Sequence, residues 1–187
     1  MKGNLNSKIL NGCLKNDRKS QEILYREYYG YGMSICLRYA ANRDEAVEIL
    51  NESFMKVFIN LHQFKPEKTF IGWFRKILIN TAINHLKKHQ IDKRLVGLEP
   101  NMDLVINEFN SLDQLSFQEM IGMVQKLTPV YRTVFNLYVI EGYTHKEIGK
   151  LLHISENTSK SNLSRARENL RNLLIKNNEK GLEKLER

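Results

Sequence analysis

Apolar residues recur at spacings of three and four along most of this chain, and that period restricts it to helices. Leu24, Tyr28, Tyr31, Ile35 and Tyr39 form one such stripe, and Val47, Leu50, Phe54, Val57 and Leu61 form a second. A third runs through Phe70, Phe74, Leu78, Ala82 and Leu86. Ser20 is the expected N-cap of the first helix and Asp44 of the second, while Thr69 opens the third. With a weaker helix near Leu5–Lys15, these predict an all-α first domain over residues 5–90.

Residues 91–115 lose the period and gather Gly97, Pro100 and several Asn and Asp, the composition of an extended linker. A second helical domain is expected over 116–176, followed by a charged C-terminal tail at 177–187. Its first helix is predicted to start at Ser116, in a capping box with Glu119. Thr128 caps the next, with Pro129 at a position that loses no hydrogen bond, and Gly142 ends it. Charge follows the same division. Residues 65–94 hold eight Lys and Arg against two acids, and residues 156–176 hold five against two. The intervening residues 95–119 hold five acids and no Lys or Arg. Two basic blocks around an acidic connector suit a polyanionic partner contacted at two places. The fold class expected is all-α, two small helical domains joined by a flexible acidic linker.

Cys13 and Cys36 match no zinc spacing and no disulfide framework, which suits a reducing cytosol. No run reaches the ~18 apolar residues that a membrane span requires, so a cytoplasmic protein without membrane insertion is expected. His85 and His89 stand four apart on a helix, but no third ligand is near and the surroundings are basic. No phosphate-binding glycine loop, nucleophile–base set or inward carboxylate pair can be assembled. The sequence therefore points to no enzyme, metal, cofactor or small-molecule substrate.

The segment from Thr144 onward carries the most specific signal. Thr144-His-Lys-Glu147 is a capping box that opens a short helix to Leu152. His153-Ile-Ser155 is a tight turn, and Ser155 caps a long helix to about Ile175. Two helices across a three-residue turn, the second longer and basic, make a helix–turn–helix. Gly149 is small where the helices would cross, and Ile148, Leu152, Ile154 and Leu163 can share a core. Ser159, Leu163, Ala166, Leu170 and Leu173 turn one side of the last helix inward. Asn157, Thr158, Ser161, Asn162 and Arg165 then face outward, flanked by Lys160, Ser164 and Arg167. These are side chains that bond base edges and phosphates. Two positions depart from the usual pattern: His153 would take a left-handed backbone where Gly is common, and Ser159 replaces an apolar residue.

A helix–turn–helix alone leaves many regulators open. The first domain narrows the choice: Asn42-Arg-Asp-Glu-Ala-Val-Glu-Ile-Leu-Asn-Glu-Ser-Phe-Met-Lys-Val-Phe is followed by Phe70-Ile-Gly-Trp-Phe-Arg-Lys-Ile-Leu-Ile-Asn-Thr-Ala-Ile-Asn-His-Leu-Lys-Lys. This succession, with Leu127-Thr-Pro through Ser161-Asn-Leu-Ser-Arg-Ala-Arg behind it, resembles the extracytoplasmic-function (ECF) sigma factors of the bacterial sigma-70 family over residues 5–176. The resemblance implies a subunit that binds core RNA polymerase and directs promoter recognition, strand opening and transcription initiation. Its implied partners are the clamp coiled coil of polymerase's largest subunit, the flap of the second-largest, promoter DNA and an anti-sigma protein. The matching positions place Asp44, Glu45, Glu48, Asn51, Glu52 and Phe54 at the clamp, Phe54 as an exposed aromatic beside an acidic face. They place Lys76, Asn80, Asn84, Lys87 and Lys88, with the loop holding Phe64, Lys65 and Lys68, at the minus-10 element. Trp73 is expected in the core. Thr158, Lys160, Ser161, Asn162, Ser164 and Arg165 fall at the minus-35 element, Asn162 where many relatives carry Arg. By the same analogy the surface around Val130 to Tyr138 faces the flap. A stand-alone regulator of duplex DNA, or a protein that chiefly sequesters a partner, remains open from the residues alone.

Overall fold

Asp17 and Asn42, not the Ser20 and Asp44 expected from the sequence, begin the two longer helices of the first domain. Both carry side-chain oxygens that accept a backbone N–H three residues on: Ser20 N–H donates to Asp17 at 2.9 Å and Glu45 N–H to Asn42 at 2.9 Å. Ser20 instead sits within the first turn, where its hydroxyl donates to Asp17 at 2.6 Å and holds that carboxyl below the usual carboxylate range. Asp44 likewise lies in the first turn, beside the positive end of the helix dipole. A short acceptor placed just ahead of the helix won each position over the candidate inside it.

The computed structural model describes residues 7–65, 67–96 and 112–185, with backbone alone over 89–96, 112–117 and 177–185. It divides into two compact units, one up to Ile91 and one from Asp92. In the first, α1 (Ser7–Leu14), α2 (Arg18–Tyr39), α3 (Arg43–Asn60) and α4 (Phe70–Val96) surround an aromatic core. Phe74 is fully buried, with ring centroids 4.9 Å from Phe54, 5.8 Å from Phe70 and 6.3 Å from Tyr28. Leu24, Ile35, Leu50, Val57 and Leu78 complete it. The three stripes face inward as expected. Cys13 and Cys36 are buried free thiols, and burial pushes Cys36 up to about 12. The last helix passes the expected end near His89 and continues to Val96.

In the second unit α5 (Leu112–Gln125) starts four residues before Ser116, which therefore lies inside the helix and does not cap it. Thr128 caps α6 (Pro129–Phe135), accepting Tyr131 N–H at 3.4 Å. A π-helical stretch, Asn136–Ile140, follows with Glu141 as its C-cap, and Gly142 beyond it takes φ 76°. The short α7 (His145–Leu152) and long α8 (Glu156–Leu185) make the helix–turn–helix. The latter exceeds the expected end near Ile175 and takes most of the expected tail into the helix. The core is Leu127, Val134, Leu137, Ile148, Leu163 and Ala166 together with buried Arg132, Thr133, Asn136, Ser159 and Asn162. The expected linker at 97–111 lies outside the described residues. Among those described no strand occurs and no helix is long and apolar enough to cross a membrane.

Candidate nucleic-acid interface

The helix–turn–helix is fixed by three local devices, each legible in the sequence. Thr144 and Glu147 exchange hydrogen bonds, and the Thr144 N–H and hydroxyl donated to it hold the Glu147 carboxyl low. His153 takes the left-handed conformation, φ 56° and ψ 43°, to stop α7. Ser155 accepts Thr158 N–H at 2.9 Å to start α8. Between them Gly149 permits the close crossing: a Cβ there would lie 2.8 Å from the Ile154 carbonyl oxygen. The inward Ser159 is fully buried and meets His145 Nδ1 at 3.0 Å, while the His145 ring stacks on Tyr138 at 4.4 Å.

The outward face of α8 carries exposed Asn157, Thr158, Lys160, Ser161, Ser164 and Arg165. Asn162 is a correction. It is only 9 % exposed, because it sits three residues after Ser159 and four before Ala166 on the inward stripe. Lys160 pairs with Glu156 at 2.8 Å. The Arg165 guanidinium donates to the Tyr131 hydroxyl oxygen at 3.2 Å, a bond that raises its already high pKa. An open cavity of about 420 Å³ lies on the opposite edge of α8, with Tyr138, His145, Lys160, Arg167 and Arg171 among its lining. Arg167 stands 6.0 Å from the centre of the Tyr138 ring, a cation–π distance.

In the first unit, Lys76, Asn80, Asn84 and Lys88 are exposed on one side of α4, with Lys87 half-buried beside them. The preceding loop exposes Lys65 and Lys68 around a turn closed by Lys68 N–H on the Lys65 carbonyl at 2.9 Å. Phe64 and Trp73 are both half-buried, with rings 5.4 Å apart, and each packs on fully buried Phe70. Trp73 thus lines the margin of the core instead of its interior. The side chain of His89 lies outside the described residues.

Helix α3 turns an acidic side outward, with Asp44, Glu48, Asn51 and Glu52 exposed. Glu45 is half-buried and engaged internally: its carboxylate accepts Ala41 N–H and lies 3.3 Å from His85. Phe54 is a correction: 2 % exposed, it packs 4.5 Å from Tyr25 and belongs to the core stripe. The apolar part of this face is supplied instead by Met55 and Ile59, 63 % and 67 % exposed. Their spacing from Glu48 and Glu52, three or four residues at each step, carried that signal in the sequence. Tyr25 donates its hydroxyl to the Asn51 side-chain oxygen at 3.1 Å.

An acidic-to-apolar helix side, a basic helix side with an aromatic loop, and a helix–turn–helix occupy the lengths that two protein families cover. Residues 24–91 match Sigma-70 region 2 and residues 117–170 match Sigma-70, region 4. The ECF RNA polymerase sigma factor SigW of Bacillus subtilis (strain 168) is 30% identical over 151 residues, 75% of this chain and 81% of that protein. SigM of the same organism, another ECF RNA polymerase sigma factor, is 28% identical over 156 residues, 80% of this chain and 92% of that one. Among solved structures, the sigma factor RpoE of Bartonella quintana, in complex with the anti-sigma factor NepR, superposes with a TM-score of 0.54. That match covers 82% of this chain and 96% of the other at 18% identity, a likeness of fold. A stand-alone helix–turn–helix regulator would account for the region 4 match and leave region 2 unexplained. The chain belongs to the ECF RNA polymerase sigma factors of the sigma-70 family, proteins that bind promoter DNA and initiate transcription with polymerase.

Proposed function

We propose that this sigma factor works as a two-point promoter clamp seated on polymerase by α3. The outward α3 side, Asp44, Glu48, Asn51 and Glu52 continuing into Met55 and Ile59, docks on the clamp coiled coil of the largest subunit. Carboxylates steer toward a basic helix, and the apolar end adds non-directional burial. The α4 side, Lys76, Asn80, Asn84, Lys87 and Lys88, meets the minus-10 element, amides on bases and ammoniums on phosphates. The loop with Phe64, Lys65 and Lys68 receives a base turned out of the stack, whose unstacking costs a few kcal/mol that the pocket offsets. The outward face of α8, Thr158, Lys160, Ser161, Ser164 and Arg165, enters the major groove of the minus-35 element. Of the segment Val130 to Tyr138, whose Arg132, Thr133, Val134, Asn136 and Leu137 are buried in the core, the exposed Tyr138 and the half-buried Val130 and Phe135 face the flap. An anti-sigma protein holds the free subunit back, as the solved relative bound to one suggests by analogy. The work is done in the cytoplasm, and the chain itself catalyses nothing: polymerase makes the RNA.

The observation that carries this reading is the distribution of charge by unit, with exposed basic sides on α4 and α8 and an exposed acidic side on α3. Run-off transcription with core polymerase tests it. Core enzyme plus this protein yields transcripts from discrete start sites on a chromosomal library, and Glu52→Lys reduces them by weakening assembly with core. No specific transcript from any template, together with tight duplex binding in the absence of polymerase, would overturn the proposal.

A further inference from the structure

Over residues 157–167, ahead of the exposed Glu168, helix α8 carries its cations on two edges and uncharged side chains between them. Asn157, Ser161 and Ser164 occupy the exposed middle, Lys160 and Arg167 one edge, and Arg165 the other, toward α6. On that edge the Arg165 Nη1 donates to the hydroxyl of Tyr131, half-buried in the first turn of α6. The place of Tyr131 is itself set by the Thr128 cap, which accepts its N–H at 3.4 Å.

An exposed arginine has many rotamers, and contact with DNA removes most of that freedom. A tether that selects one orientation beforehand lowers the loss. Guanidinium has no acceptor, so the phenol oxygen accepts and its own hydrogen is left over. The hydrogens the couple presents are the remaining guanidinium N–H groups and one O–H. That set matches phosphate oxygens and the N7 and O6 acceptors of guanine.

We infer that Tyr131 is a positioning residue for minus-35 recognition, holding Arg165 in the orientation in which it meets DNA. The inference rests on the reading of Arg165 as a DNA contact. The test uses full-chain holoenzyme and a pool of promoter duplexes randomised over the upstream element, and sequences what is bound for wild type, Tyr131→Phe, Arg165→Ala and the double variant. Removing only the hydroxyl should relax the preference roughly two- to tenfold, the range of one hydrogen bond. The relaxation should fall at the positions that Arg165→Ala relaxes, be absent in the double variant relative to Arg165→Ala, and leave the thermal midpoint of the free protein unchanged. An unaltered preference for Tyr131→Phe, with Arg165→Ala relaxed, overturns the inference and leaves the Arg165 reading intact. Equal relaxation in both backgrounds overturns it too, because Tyr131 then acts without Arg165. An unaltered preference for Arg165→Ala overturns the reading of Arg165 and the inference with it.

Discussion

The two units solve the problem of a small core in different ways. The first fills its interior with rings, Tyr28, Phe54, Phe70 and Phe74, and the buried polar residues described there are Ser53 and Thr81. Ser53 bonds back to Ile49 on its own helix at 2.7 Å, and Thr81 accepts one bond across helices, from the half-buried Lys56 of α3 at 3.2 Å. In the second unit Arg132, Thr133, Asn136, Ser159 and Asn162 are buried among smaller apolar side chains. Two of these join separate segments: Arg132 ties α6 to the end of α5, and Ser159 ties α8 to α7. A core of rings is held by area and shape, which are not directional. A core laced with polar groups is held at particular angles, and leaving one of those groups unpaired is costly. On the proposed function, the unit that must present a recognition helix at a set angle is the one with the directional core.

The largest expected effect lies in the first unit. Phe74→Ala should destabilise it by about 3–5 kcal/mol, the range for truncating a buried aromatic. Trp73 is the chain's one tryptophan and belongs to this unit, so its fluorescence during urea unfolding isolates the transition. A loss under about 1 kcal/mol would mean the ring cluster is loosely packed, and the contrast would collapse.

The second-largest falls on Arg132, 3 % exposed, whose guanidinium donates to the carbonyls of Gln125 at 2.7 Å and Leu127 at 3.0 Å. Arg132→Met keeps the apolar stem and leaves both carbonyls without those donors, for an expected loss of about 2–3 kcal/mol. Circular dichroism should show this while the Trp73 transition stays in place. A neutral or stabilising result would show that the buried charge costs as much as its bonds return.

This contrast also explains what could be read in advance. The ring stripes of the first unit and the caps at Thr144 and Ser155 are periodic or local, and the sequence displays them directly. So is the left-handed His153, since a helix must stop there. Arg132 reads as a surface residue because its partners are carbonyls, which no sequence marks. Asn162 was placed outward on the strength of its polarity, although its spacing from Ser159 and Ala166 put it inward. Phe54 likewise stands on a core stripe, while the family resemblance implies an exposed aromatic at the docking face. In both cases period outweighed the other signal. The continuation of α4 to Val96 and of α8 to Leu185 is not marked in the sequence, because polar stretches such as Asp92–Arg94 and Lys176–Lys180 continue a helix as readily as they leave it.

Gly149→Ala should cost less. The added Cβ would stand 2.8 Å from the Ile154 carbonyl oxygen, a backbone atom further held because Ile154 N–H donates to the Gly149 carbonyl at 3.0 Å. Overpacking costs about 1–3 kcal/mol, and alanine's helix preference returns about 1. A net loss of about 0–2 kcal/mol in the second unit is expected, accompanied by weaker minus-35 binding as α8 is pushed from α7. A stabilised variant with unchanged binding would show that the crossing has slack, and that the polar bonds alone set the angle.

Ser159→Ala is the smallest and most discriminating change. The hydroxyl is fully buried, but its partner His145 is half-exposed, so water can replace the lost bond on the histidine side. The expected loss is about 0.5–1 kcal/mol, the net worth of one hydrogen bond. If directional bonds fix the recognition helix, DNA affinity should fall by more than stability does, because His145 stacks on Tyr138 at the edge of α8 and loses its link to that helix. Anisotropy titration of holoenzyme on a promoter duplex, run beside thermal unfolding, separates the two. A fall in affinity with near-native stability would mark Ser159 as the polar residue that aims α8. Equal small changes would reduce it to filler, and the directional core would then rest on Arg132 alone.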